Sequence, residues 1–178
     1  MEVQEDSRAG TGYWCCPDRI GHLSSGEPLM KTAINLLVLS GALLLQTSFA
    51  QDRKIEQAIK HRKAAFTLMA TYVNRMVQTV EGNRPFDVKQ MAQDAKAVEL
   101  LSKLPWEGFV EGSERGETRA KDDIWFEDEK FKRYANDLQV KSAAVTVAAE
   151  SGDLKRFKAA VSPMRDACNT CHKAFRKE

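Results

Sequence analysis

Five residues near the C-terminus constrain this chain more than any other stretch: Cys168-Asn169-Thr170-Cys171-His172. A spacing of three puts two thiols about one turn apart, on one side of a helix. His172 follows at once, four positions after Cys168, where an imidazole can turn inward. Half a zinc site or a thioredoxin-like redox pair would share the two cysteines. A structural zinc site takes four ligands, whereas residues 51–178 hold no further cysteine and one further histidine, His61. The pattern reads instead as the attachment site of a c-type haem. The thiols of Cys168 and Cys171 add across the haem vinyl groups, and His172 binds the iron.

The N-terminal region supports that chemistry. Met30 to Ala50 starts with a lysine, continues with an apolar run from Ile34 to Leu45 and ends in small residues at Ser48 and Ala50. This is the pattern of a secretory signal peptide, with cleavage expected between Ala50 and Gln51. The apolar core is too short for a comfortable membrane span, so no stable membrane contact is expected after cleavage. Bacterial c-type haem is attached outside the cytoplasm, which places the product in the periplasm. Residues 1–29 lack clear periodicity and carry the pair Cys15-Cys16. They are expected to be an over-long start, with Met30 the natural one. The mature domain is then 51–178.

Within that domain apolar residues recur every three or four positions, which favours an all-α fold. The first helix is expected from Asp52 to about Glu81, with Ile55, Ile59, Phe66, Met69, Val73, Met76, Val77 and Val80 inward. Gly82-Asn83 closes it and Pro85 prevents continuation. Asp87 caps a second helix reaching about Leu104. Pro105 to Lys121 is a long loop of the kind that is often functional. A third helix should run from Asp122 or Asp123 to about Glu150, with Ile124, Phe126, Phe131, Leu138, Val145 and Ala149 inward. Ser151-Gly152-Asp153 is a tight turn. The last helix spans Asp153 to about Lys177, with a kink or restart at Pro163. Four amphipathic helices with short links predict an up-down-up-down four-helix bundle around one covalent haem. With 27 basic and 25 acidic residues, the charge is too balanced for nucleic acid to be the main partner.

This domain resembles the cytochrome c′ family of C-terminal C-x-x-C-H bundles. The segments that carry the likeness are His61-Arg62-Lys63, Leu104-Pro105-Trp106, Asp123-Ile124-Trp125, Ser151-Gly152-Asp153-Leu154 and Cys168 to Arg176. His61, where the family commonly has tyrosine, and Pro163 depart from the pattern. The resemblance implies Cys168 and Cys171 as haem anchors and His172 as proximal ligand. It implies Arg62 as partner of a haem propionate, with Lys63, Glu117 and Thr118 along the propionate edge. Arg176, four residues after His172, would stand near the proximal face; its alternative is a solvated charge at a helix C-terminus.

Phe66 occupies the family's bulky apolar position on the open side of the iron. A benzyl group cannot ligate iron, so a five-coordinate ferrous site is expected, open to nitric oxide and carbon monoxide but poor for dioxygen. Met69, one turn on, could make a low-spin Met/His carrier, though core filling is its commoner role. The functional expectation is periplasmic single-electron transfer with small redox proteins, at a haem that also binds these gases. The alternatives are nitric oxide scavenging or a Met69-ligated carrier. No enzyme is expected, because Phe66 replaces any distal acid or base. A homodimer through the first two helices is a further expectation from the family.

Overall fold

The computed structural model describes the backbone of residues 27–178 and the side chains of residues 51–178. The chain divides into two units, 1–44 and 45–178. Up to residue 26, the expected N-terminal extension and its Cys15-Cys16 pair lie outside the described residues. The backbone of the 30–50 stretch is helical. Among the described residues, no helix is long and apolar enough to cross a membrane.

Among the described residues five helices follow one another: α1 (Glu27–Val80), α2 (Val88–Leu101), α3 (Asp123–Phe126), α4 (Asp128–Glu150) and α5 (Leu154–Phe175). A single 3-10 turn, Pro105–Gly108, lies between α2 and α3. Helix α1 stops where Gly82 adopts a φ of 84°. Gly82 and Asn83 then donate back to the carbonyls of Thr79 and Gln78. Asp87 caps α2 by accepting from the Gln90 N–H at 3.0 Å. Asp153 caps α5 by accepting from the N–H groups of Lys155 and Arg156 at 2.8 and 3.2 Å.

Four expectations need correction. Helix α2 ends at Leu101 rather than Leu104. The Ser102 hydroxyl bonds back to the Glu99 carbonyl at 2.8 Å, and Pro105 has no N–H to offer the Leu101 carbonyl. The last turn therefore tightens into i→i+3 bonds from Lys103 and Leu104. The expected third helix is two. Glu127 leaves helical geometry at φ −111°, ψ 40°, and Asp128 and Glu129 then occupy the first turn of α4, where the helix dipole favours acids. Phe126 is 84% exposed, not inward. It stands two positions from the buried Ile124, about 200° around a helix, so only one of them can face the core. Of the kink or restart expected at Pro163, the restart does not occur: helix α5 runs through Pro163 as one helix. Pro163 and Ala159, whose carbonyl loses its donor, are both exposed, so water can satisfy that carbonyl.

One core joins four helices. Met69 and Met76 come from α1, Met91, Ala95 and Val98 from α2, Leu138, Val145 and Ala149 from α4, and Phe157, Val161 and Met164 from α5. Helix α4 packs against both α2 and α5, and the short α1–α2 and α4–α5 turns make those neighbours antiparallel. The domain is thus an all-α four-helix bundle.

A buried ion pair fixes α1 to α2. Asp94 is 1% exposed and accepts from Arg75 Nη2 at 2.7 Å and Gln90 Nε2 at 2.9 Å. Removing one partner of such a pair strands the other. Asp94→Ala should therefore cost about 2–3 kcal/mol, somewhat below the fully buried case because Arg75 reaches solvent. The cap variant Asp153→Ala should cost only about 1 kcal/mol. Urea unfolding followed by circular dichroism checks both the sizes and their order.

Candidate haem site

Helix α5 brings the two motif cysteines to different neighbours. Cys168 packs against the four-helix core. Cys171 packs against a second cluster built on Ala120, Ile124, Phe131 and Phe175. Both are free thiols, half-buried. His172 is exposed on the same turn, rather than turned into the bundle. The end of α5 that carries them is pinned. The chain after the helix pairs with the loop before α3 as an antiparallel bridge, Ala120 to Arg176. Lys121 N donates to Phe175 O at 2.9 Å, and Lys177 N to Arg119 O at 2.7 Å. Lys121 Nζ caps the carbonyls of Lys173 and Ala174 at 3.1 and 3.2 Å, placing a cation where the helix dipole is negative.

Aromatic rings extend from α5 to α1. Phe175 meets Phe131 edge-on at 5.4 Å, and Phe131 meets Phe109 at 4.7 Å and Trp106 at 5.6 Å. Phe66 on α1 meets Trp106 at 5.9 Å and Phe109 at 6.4 Å. Beside this run lies a half-open cavity of about 370 Å³ whose lining includes Trp106, Phe109, Ile124, Trp125 and Phe131. A larger, shallower depression of about 620 Å³ is lined by α4 residues alone, between Glu129 and Val140. It holds none of the motif groups.

Arg62 organises the loop above this cluster. It is 2% exposed. Its Nη1 donates to Gly108 O and Ser113 Oγ, both at 2.7 Å. Its Nη2 donates to Ser113 O at 2.6 Å and Thr118 Oγ1 at 2.8 Å. The guanidinium also lies 4.4 Å from the centre of the Phe109 ring. All four acceptors are neutral, and burial pulls the Arg62 pKa down to about 10. Arg62 therefore stays charged at neutral pH, a buried cation without a hydrogen-bonded carboxylate. Gly108 lets the loop approach α1 this closely, since a Cβ there would stand 2.6 Å from Ala58 O and 2.9 Å from Arg62 Cβ.

The other sequence-predicted residues fall around this clamp. Thr118 is half-buried, and its hydroxyl accepts from both Arg62 and Ala120 N. Lys63 and Glu117 are exposed, and Lys63 Nζ donates to the Glu117 backbone carbonyl at 3.2 Å, leaving the carboxylate uninvolved. Arg176 Nη1 stands 3.5 Å from His172 Nδ1. Although His172 as a whole is exposed, desolvation first, then Arg176 and Arg119, lower its imidazole pKa from the ordinary value. It is therefore neutral at pH 7, the form a metal needs. Met69 is 4% exposed within the main core. His61 is exposed, with Nε2 2.9 Å from Leu104 O and 3.0 Å from Glu107 Oε1. Gly108, Ser113, Phe109 and the unpaired Trp125 N–H were not singled out from sequence. Trp125 itself stood there in the segment Asp123-Ile124-Trp125, without a role for its N–H.

These groups fit a haem. Two thiols and a neutral imidazole share one helix end, an aromatic wall adjoins one thiol, and a buried cation has no carboxylate hydrogen-bonded to it, only the charge of Glu114 nearby. The indole Nε1 of Trp125 is buried without an acceptor. Among the described residues no cluster of three His, Cys, Asp or Glu could hold a bare metal ion. The fold and site together define a four-helix c-type cytochrome.

The family follows from comparison. Residues 57–176 match the family model Cytochrome C'. Cytochrome c' of Alcaligenes xylosoxydans xylosoxydans is 36% identical over 128 residues, covering 72% of this chain and 99% of that protein. Cytochrome c' of Rubrivivax gelatinosus is 35% identical, covering 72% of this chain and all of that one. The crystal structure of cytochrome c prime from Shewanella frigidimarina superposes with a TM-score of 0.68 at 35% identity, covering 70% of this chain and 97% of that chain. A mutant of the Alcaligenes xylosoxidans protein, solved as its nitric oxide complex, superposes with a TM-score of 0.66 at 35% identity and the coverage of 70% and 97%. This chain belongs to the cytochrome c′ family, whose members carry covalently bound c-type haem.

The haem-free chain offers a direct check on the thiols. Burial and the neighbouring Cys168 push Cys171 up to about 11, and burial also raises Cys168. Thiolate is the reactive form. Alkylation of the haem-free chain should therefore be slow at pH 8 and should speed up as pH rises toward 11. Denatured chain should react fast at pH 9. Iodoacetamide labelling read by mass spectrometry measures this.

Proposed function

We propose that residues 51–178 form, after export, a periplasmic haem protein. It passes single electrons and binds the neutral diatomics nitric oxide and carbon monoxide at an open face of the iron. The carrying observation is the run of ring contacts from Phe175, three residues past His172, to Phe66 on α1. A haem bound there supplies an iron that changes oxidation state by one electron and takes axial ligands. Cys168 and Cys171 hold it covalently and His172 offers a neutral ring nitrogen. Arg62, Thr118 and the neighbouring Lys63 and Glu117 form its propionate edge.

Phe66 decides the open side. Its ring cannot donate an electron pair to iron, and it crowds an incoming ligand. It also offers no hydrogen bond. Its neighbour Trp106 has an N–H, but that group is committed to Ser102 O at 2.6 Å. With no free donor on the rings that Phe66 touches, nitric oxide and carbon monoxide are favoured over dioxygen. The Alcaligenes relative solved with nitric oxide supports the same choice. Burial of Met69 in the main core supports packing as its role; as a ligand it would have to leave that core. Apolar surface at Leu68 on α1, 53% exposed, and Leu100 on α2, 65% exposed, supports a homodimer through those helices.

The exported protein should carry the added mass of one haem and show a high-spin or mixed-spin ferric spectrum. A pure low-spin spectrum with a methionine–iron band would reject the open site. Phe66→Ala removes the crowding ring, so carbon monoxide should bind on the order of tenfold faster, equivalent to ~1.4 kcal/mol of relieved barrier. Stopped-flow mixing measures that rate; an unchanged rate counts against Phe66 as the gate.

A further inference from the structure

We propose that the Trp125 indole N–H donates a hydrogen bond to a carboxylate of the bound haem, making Trp125 a positioning residue for that group. The proposal rests on the haem reading above and adds a contact to it. The starting observation is a missing partner. Trp125 Nε1 is buried and has no acceptor in the chain, a state that native interiors seldom leave uncompensated. The other tryptophan lining the same cavity, Trp106, is satisfied by Ser102 O. The orphan is therefore particular to Trp125 and not a property of the pocket.

Asp128 also lines the cavity; its Oδ2 accepts from Lys132 at 2.6 Å, and neither of its oxygens bonds the Trp125 N–H. A residue with an unpaired donor therefore lines a cavity of about 370 Å³. A second observation gives the sign of the missing group. The Phe109 ring lies 6.4 Å from the Trp125 ring and carries the Arg62 guanidinium 4.4 Å from its centre. An N–H and a buried cation thus flank one ring, and neither is hydrogen-bonded to a carboxylate. The unpaired N–H calls for an acceptor, the nearby cation favours an anionic one, and the carboxylates of a haem are the ones this site would receive. An ordered water is the competing acceptor, and it would not supply the charge.

The test uses the haem-loaded, full-length exported protein. Its mass is taken first, because a chain without the added haem defeats the underlying reading and this proposal together, before any spectrum is recorded. In the loaded protein, ultraviolet resonance Raman should show, beside the band of Trp106 bonded to Ser102 O, a second hydrogen-bonded indole band that Trp125→Phe removes. That band should weaken as the haem carboxylates are protonated, which needs no variant and so survives a failure of Trp125→Phe to fold. In Trp125→Phe, haem content should hold, since Cys168 and Cys171 make the attachment. Loss of a donor to the ionised form should move the carboxylate inflection in the haem absorbance–pH profile upward by about one unit. An indole band unaltered through that titration, or a variant profile superimposable on wild type, overturns the proposal and assigns the acceptor to water.

Discussion

A guanidinium with no carboxylate bonded to it holds this site together. Burying a charge is costly unless every donor is used. Arg62 comes close to that condition, with four of its five N–H donors bonded to Gly108 O, both oxygens of Ser113 and Thr118 Oγ1. The residues it bonds lie 46 to 56 positions away in sequence. The long connection between α2 and α3 is therefore pulled against α1 at one point. Trp106 and Phe109 ride on that connection, which is why they meet Phe66. Without the clamp, the rings would have no reason to converge.

The other half of the site is fixed from the opposite end of the chain. The residues following α5 pair with 119–121, and Lys121 caps the carbonyls beside the motif. Both halves thus meet in the same connection, which the clamp holds near Gly108 to Thr118 and the bridge holds at Arg119 to Lys121. The bundle core supplies rigidity. The connection converts that rigidity into the placement of rings, thiols and imidazole.

Much of this was legible in sequence because it is local. The motif, the Asp87 and Asp153 caps and the Gly82 stop each depend on a few neighbouring residues. Apolar spacing likewise identified Met69, Met76, Val98, Leu138 and Val145 as core. What sequence hid was non-local or a matter of register. Ser113 and Gly108 gain their roles only when the chain returns to Arg62. The break at Glu127 follows from a cluster of acids whose gain comes from starting a new helix, and period counting cannot see it. Phe126 was misplaced because hydrophobicity was weighed above the 100° step that separates adjacent helical positions. Pro163 was expected to interrupt α5 because its lost hydrogen bond was counted without asking whether water could replace it.

The core has an unusual sulfur content with a chemical consequence. All four methionines of residues 51–178 are in it: Met69, Met76, Met91 and Met164, each 4% exposed or less. Thioethers are flexible enough to fill the irregular space among four helices. They are also targets of peroxide, and a sulfoxide would bring a polar, chiral group into the apolar interior. Tight closure of the helices therefore shields the packing from oxidative damage as well as from water. The same seal makes methionine sulfoxide a marker of bundle opening, since an oxidant reaches these sulfurs only when the helices part.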